Sequence, residues 1–154
     1  MPQLFLFIIV LCFSCHTEAL STDPTSHVWQ LGNFNIHIEN QCDIVVKRNH
    51  QTLKIKNHFD SAQACNVAML VDTNIPNAFV VGGGYILLIE QVLSKRTDND
   101  FPDRLVCDRR TRALVLLNSG KATLSDNEIK SGNCDGQIEA HGAMYLANPH
   151  RELD

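Results

Sequence analysis

The chain has 154 residues and a formal net charge of −4, with 17 acidic and 13 basic side chains. The basic residues are scattered except for Arg109, Arg110 and Arg112, so the charge pattern argues against a nucleic-acid partner. After the N-terminal residues, no segment is long and apolar enough to predict a membrane span.

The N-terminus has the pattern of a secretory signal peptide. Residues 4–13 are all apolar, a run that suits the hydrophobic region of a signal peptide but is too short to cross a bilayer. Thr17 and Ala19 are small residues at the positions that precede a cleavage site. We therefore predict a signal peptide over residues 1–19 and a secreted, extracellular mature protein of one domain.

Cleavage after Ala19 would leave four cysteines, an even number in a chain destined for an oxidising compartment. They are Cys42, Cys65, Cys107 and Cys134. None of them lies in the short Cys-x-x-Cys spacing that is typical of zinc or redox sites. The sequence therefore predicts two disulfides, and four cysteines allow three pairings.

Residues 20–30 are predicted to form a flexible leader, because their first part is polar and contains a proline. From residue 31 apolar and polar residues alternate in FNIHI, CDIVVK, TLKIK and CNVAMLVD, as in strands with one buried face. FVV, YILLI and ALVLL are continuous apolar runs, which indicate strands buried on both faces. With turn-type residues between these segments, the pattern predicts one mainly β domain over residues 31–148, an antiparallel sandwich, followed by a tail at 149–154.

Two segments leave helix as an alternative to strand. YILLIEQVLSK is also compatible with an amphipathic helix over about residues 86–94, and EAHGAMYLAN with a second short helix.

The stretch LVDTNIPNAFVVGGGYILL resembles a segment of the His-Glu-x-x-His zinc metallopeptidases. The residues that carry this resemblance are Asp72, Asn77, Ala78, Phe79, Gly83, Gly84, Tyr85 and Ile86. Family members need two histidines one helical turn apart and a glutamate that activates the bound water. At the corresponding place this chain has Asp108, Arg109, Arg110, Thr111 and Arg112, so the resemblance implies no catalysis. The three glycines at 82–84 are expected to form a turn or bulge before a buried strand.

Other candidate sites have plainer interpretations. The histidines lack metal-ligand spacing, and no nucleophile elbow is present. Asp98, Asp100 and Asp103 offer the oxygen ligands that Ca²⁺ prefers, although their spacing is not that of an EF-hand, and a solvated loop is the simpler interpretation.

The order CDIVV, TLKIKNHF, ACNVAMLV, LVCDRRTRALVLLNSGKATL and GQIEAHGAMY resembles that of a CUB domain, an extracellular β-sandwich. The resemblance implies that residues 31–148 are a CUB-like domain with Cys65 bridged to Cys107, which leaves Cys42 and Cys134 as a second pair. Cys134 is additional to the family's pattern.

We therefore expect a secreted, non-catalytic binding module that recognises an extracellular protein or glycan, as a venom, effector or immune-type component would, without a cofactor. The alternative is a degenerate, catalytically inactive zinc-metallopeptidase-like protein. Because binding residues concentrate on loops, the first candidate contacts are loop 95–104 and, if exposed, Arg109, Arg110 and Arg112.

Overall fold

A computed structural model of the chain describes residues 27–56, 59, 63–102, 105–134 and 137–147. The predicted signal peptide, the acidic residue Asp103 and the predicted C-terminal tail 149–154 lie outside these residues. The described part is mainly β, with two antiparallel sheets and one short helix, which confirms the predicted fold class. No helix in this part of the chain has the length and apolar character needed to cross a membrane.

The first sheet is a four-stranded antiparallel meander in which each strand pairs with the next along the chain. Its strands are β1 (Val28–Leu31), β2 (Phe34–Ile38), β3 (Ile44–Arg48) and β4 (Gln51–Ile55). Two-residue turns join β1 to β2 and β3 to β4. Gly32 (φ 56°) and Asn49 (φ 52°) occupy these turns with the positive φ that tight hairpins require. The leader prediction is wrong for residues 28–30, because they form β1.

The second sheet is built on a long hairpin of β7 (Gly84–Thr97) and β8 (Leu105–Leu117). Around it lie β5 (Asn66–Val67), β6 (Ala78–Val81), β9 (Ala122–Leu124) and β10 (Ile129–Asn133). β5 and β6 pair with β7, and β9 and β10 pair with β8. The helical alternative for residues 86–94 is therefore wrong, because these residues pair along β8 for the length of a strand.

The triple glycine has the role predicted for it. Gly82 and Gly83 connect β6 to β7, and Gly84 has a φ of 154° at the start of β7. A side chain at Gly84 would collide with the Leu116 carbonyl of the neighbouring strand. Only glycine therefore permits this close pairing of β7 with β8.

The sheets and the helix form three layers. The main core lies between the two sheets and joins Phe34, Ile36 and Ile44 of the first sheet to Leu87 and Leu114 of the second. The other face of the second sheet packs on α1 (Ala140–Ala147). β7 and β8 are thus buried on both sides, as their continuous apolar runs predicted.

Helix α1 is the short helix predicted as an alternative for EAHGAMYLAN. Ala143, Leu146 and Ala147 face the second sheet and are buried. The Ser125 hydroxyl donates a hydrogen bond to the Leu146 carbonyl, and Asn127 Nδ2 donates to the Tyr145 carbonyl at 3.0 Å. These bonds satisfy carbonyls of the last turn, which have no partner inside a helix.

Both predicted disulfides are present, but the pairing implied by the CUB resemblance is wrong. Cys42 is bridged to Cys65, with Cα atoms 5.2 Å apart, and Cys107 is bridged to Cys134, with Cα atoms 4.9 Å apart. The first bridge ties the β2–β3 connection to the segment before β5, and the second ties β8 to the end of β10. Cys107 lies on β8 and is bridged to Cys134 because β10, which ends next to Cys134, pairs with β8. Cys65 precedes β5, which pairs with β7 instead.

Candidate functional site: a cleft at the sandwich edge

A concavity with both apolar and polar walls runs along one edge of the sandwich. We call it the edge cleft. Its volume is about 810 Å³. It is lined by His27, Trp29, Ile38, Glu39, Ala64, Cys65, Asn66, Val67, Met69, Asn74 and Glu90.

The cleft lies where the outer strand of one sheet is longer than the outer strand of the other. β1 is the outer strand of the first sheet, and β5 is the outer strand of the second. β5 pairs with β7 through only two residues, Asn66 and Val67, so this edge of the second sheet is short. At the opposite edge β4 contacts β9, which covers the core there.

Trp29 is the most prominent apolar group of the cleft and the only tryptophan of the chain. It is half-buried and packs against the main core, where β1 alternates inward- and outward-facing side chains. The His27 ring lies 5.7 Å from the Trp29 ring, centre to centre, at an angle of 31°. Trp29 therefore gives the cleft a rigid aromatic wall supported by a strand.

Glu90 contributes a half-buried carboxylate to the lining of the cleft. It is held on β7 opposite Thr111 of β8, and its Oε2 atom lies 3.4 Å from Arg109 Nη1. Burial raises the pKa of the Glu90 carboxyl above its ordinary value, while the positive charges of Arg109 and Lys95 act in the opposite direction. The Arg109 guanidinium is therefore the counter-ion that a half-buried carboxylate needs.

Three further polar side chains point to the cleft from its rims. Asn66 lies on β5, Glu39 follows β2, and Asn74 lies in the loop between β5 and β6. All three are exposed, and within the described residues no hydrogen bond or ion pair uses their side chains. Two amides and one carboxylate are therefore available to a ligand.

The loop at residues 70–75 is ordered by its own hydrogen bonds. The Leu70 amide donates to the Ile75 carbonyl at 2.9 Å, and Thr73 Oγ1 donates to the Leu70 carbonyl at 2.9 Å. The Ile75 amide in turn donates to Thr73 Oγ1 at 3.1 Å. These bonds hold Asn74 in place at the rim of the cleft.

A second hollow, of about 490 Å³, lies on the other side of this loop. It shares Met69, Asn74 and Glu90 with the edge cleft and adds Arg109 and Cys134. Glu90 therefore stands between the two spaces, with its cationic partner on the side of the second hollow.

The arginines predicted as contacts are mostly internal. They were candidate contacts only if exposed, and Arg109 and Arg112 are only 8% and 9% exposed. Arg112 Nε lies 3.4 Å from Glu128 Oε2, and its guanidinium lies 5.3 Å from the Phe59 ring centre. Arg110 is half-buried. The cluster therefore stabilises the second sheet and does not form a basic surface patch.

Loop 95–104 is shorter than predicted, because β7 continues to Thr97. The Asp100 amide donates to Asp98 Oδ1 at 3.0 Å, which is a local turn contact. Asp103 lies outside the described residues, so the acidic triplet cannot be assembled as a site. Among the described residues no three histidine, cysteine or acidic side chains converge as metal ligands would.

The residues that resemble metallopeptidases have structural positions here. Asn77 is buried, and its Nδ2 atom donates to the Ile138 carbonyl at 3.3 Å, which fixes the segment before α1. Residues 108–112 lie within β8. Side chains in a strand alternate between faces, whereas the zinc motif needs a helix that places residues i and i+4 on one face.

Fold and site together define a disulfide-bonded, two-sheet β-sandwich with an amphipathic cleft at one edge. No protein-family model, curated protein or solved structure matches the chain.

The edge cleft was not predicted from the sequence, because Trp29 was assigned to a flexible leader. The signal that was available is the apolar alternation VWQL, which begins before residue 31.

Proposed function

We propose that the protein is a secreted, non-catalytic binding module whose ligand is an extracellular protein or glycan held in the edge cleft. The observation that carries this proposal is the cleft itself, in which the only tryptophan adjoins polar side chains with no described partner. A concave, partly apolar space with a few placed polar groups is the usual form of a binding site.

Secretion is supported by the signal-peptide pattern and by two disulfides, which persist in oxidising compartments. Two sheets, two cores and two disulfides give the cleft a rigid frame. Such a frame suits recognition, because groups held on strands lose little freedom when a ligand binds.

The alternative of a degenerate metallopeptidase-like protein receives no support from the positions of its matched residues. Asn77 and Gly84 have packing roles, and the place of the zinc helix is taken by β8. The CUB-like identity stays a prediction.

The proposal is tested by exposing the purified mature chain to an array of glycans and recombinant extracellular protein domains. We expect saturable binding that Trp29→Ala abolishes and that Tyr145→Ala leaves intact, since Tyr145 is an exposed aromatic residue on α1, outside the cleft. Glu39→Gln, which changes an exposed rim residue, provides a milder cleft variant if Trp29→Ala fails to fold. Binding that none of the cleft variants weakens, or no binding at all, would refute the proposal.

A further inference from the structure

The chemistry of the edge cleft narrows its ligand beyond an extracellular protein or glycan. This inference rests on the proposed function, since it concerns the same site. Three properties decide it: the size of the cleft, its charge and the mixture of groups on its walls.

The size of the cleft favours a small ligand. A volume of about 810 Å³ falls in the range of small-molecule sites, ~300–1,000 Å³. Protein partners usually contact broad surfaces with buried areas of about 1,200–2,000 Å² in total. A cleft of this size, bounded by β1 on one side and by β5 on the other, fits a short chain of rings better than a protein surface.

The charge of the cleft argues against strongly acidic ligands and provides only one exposed carboxylate to hold a strongly basic one. Its described lining contains two carboxylates, Glu39 and Glu90, and neither lysine nor arginine. Sulfated or carboxylated glycans would therefore meet repulsion. Glu90 already has Arg109 as its counter-ion at 3.4 Å, so of these two lining carboxylates only Glu39 has no described cationic partner.

The walls offer what a sugar presents. A saccharide ring has an apolar face of C–H groups and a rim of hydroxyls that both donate and accept hydrogen bonds. Trp29 supplies an aromatic surface for the C–H face. Asn66 and Asn74 supply amides that donate and accept, and Glu39 and Glu90 supply acceptors for hydroxyl donors.

The positions of these groups are fixed before a ligand arrives. Trp29, Asn66 and Glu90 lie on β1, β5 and β7, and the self-bonded loop 70–75 positions Asn74. The Cys42–Cys65 bridge ends directly before β5 and adjoins the cleft through Cys65. Hydrogen-bonding groups held in this way contribute to affinity because little conformational freedom is lost on binding.

From this juxtaposition we infer that the edge cleft binds a neutral oligosaccharide, with a sugar ring against Trp29 and hydroxyls on Asn66, Asn74 and Glu39. The partner would then be a neutral glycan, either free or displayed on a glycoprotein.

The only tryptophan of the chain provides the readout, because a ligand in the cleft changes the surroundings of Trp29. The mature chain is titrated with maltotetraose, cellotetraose, chitotetraose and an N-acetyllactosamine tetrasaccharide, and with a heparin tetrasaccharide as the acidic comparison. We expect a saturable change in Trp29 emission with at least one neutral probe and none with the heparin probe.

Variants connect the signal to the proposed contacts. Asn66→Ala and Asn74→Ala should each weaken binding about fivefold to tenfold, the loss expected for one hydrogen bond. The matched control Asn35→Ala removes an exposed amide from β2, outside the cleft, and should leave affinity unchanged. Free and protein-linked glycans are distinguished by repeating the titration with a glycoprotein that carries the best probe.

Each other outcome has a definite meaning. If the heparin probe or an array protein binds in a Trp29-dependent way and no neutral sugar does, the inference is wrong and the proposed function stands. If a neutral sugar binds with equal affinity to the Asn66, Asn74 and Asn35 variants, the assigned contacts are wrong. If neither a saccharide probe nor a protein of the array gives a cleft-dependent signal, both the inference and the proposed function fail.

Discussion

The two disulfides should differ in their contributions to stability and to the cleft, although they close loops of similar length. The informative comparison is between two double variants, Cys42→Ala/Cys65→Ala and Cys107→Ala/Cys134→Ala. The bridges span sequence separations of 23 and 27 residues. Restricting the unfolded chain over such loops contributes about 3.5 kcal/mol to the free energy of unfolding in either case.

The two bridges differ in how deeply their cysteines are buried. Cys42 and Cys65 are both buried members of the main core, whereas Cys134 is half-buried beside the second hollow. Alanine at 42 and 65 therefore leaves an additional gap, which costs about 1 kcal/mol more. We expect a loss of about 4–5 kcal/mol for the first variant and about 3–4 kcal/mol for the second.

Urea unfolding followed by circular dichroism measures both free energies. The first variant should also shift the emission of Trp29 in the folded state, because the Cys42–Cys65 bridge anchors the segment before β5 at the cleft. Equal losses with unchanged emission would show that Cys65 does not hold the cleft. A Cys65–Cys107 link in peptides from the unreduced wild-type chain would refute the pairing on which the argument depends.

Three further predictions concern the core, a buried ion pair and pH. Leu88 is fully buried between the second sheet and α1, so Leu88→Ala should lower the free energy of unfolding in urea by about 2–5 kcal/mol. The control Val80→Ala changes a side chain that is 82% exposed and should alter this free energy by less than about 0.5 kcal/mol. Arg112→Ala leaves Glu128, whose side chain is 11% exposed, with Lys130 at 3.9 Å as its remaining described cationic partner, and should lower the free energy of unfolding in urea by about 2–4 kcal/mol. Arg96→Ala, on the exposed end of β7, should lower it by less than about 0.5 kcal/mol, and equal effects would mean that the ion pair does not stabilise the fold. Burial raises the pKa of Glu90 in the folded state, so its contribution to stability is complete below the ordinary value of 4.5 and is lost as pH rises through the folded pKa. Unfolding free energies measured from about pH 4 to pH 8 should therefore fall less steeply with pH in Glu90→Gln, and an unchanged slope would contradict this effect.

The sequence predicted the strands whose pattern is set by local burial. FNIHI and CDIVV alternate because the first sheet buries one face, and YILLI and ALVLL are continuous because β7 and β8 lie between two cores. CNVAMLVD was predicted as one strand, but only Asn66 and Val67 form β5. Its alternation breaks at loop 70–75, where Asp72 has a φ of 58° and Val71 is exposed.

Features that depend on distant contacts could not be predicted in the same way. Arg112 is buried because Glu128, 16 residues away, supplies its counter-charge. The cleft requires β1 and β5 to end side by side, although Trp29 and Asn66 are far apart in the chain. Cysteine pairing likewise follows from which strands are neighbours, and spacing alone does not determine strand order.

The order of the strands also has a consequence for folding. All strands of the first sheet precede all strands of the second, and each bridge joins two cysteines that are consecutive in the described part of the chain, Cys42 to Cys65 and Cys107 to Cys134. Because a chain is synthesised from its N-terminus, Cys42 can meet Cys65 before Cys107 has been made. The native partner of Cys42 is therefore available before either cysteine of the second bridge, and the native pairing needs little exchange between mispaired sulfurs.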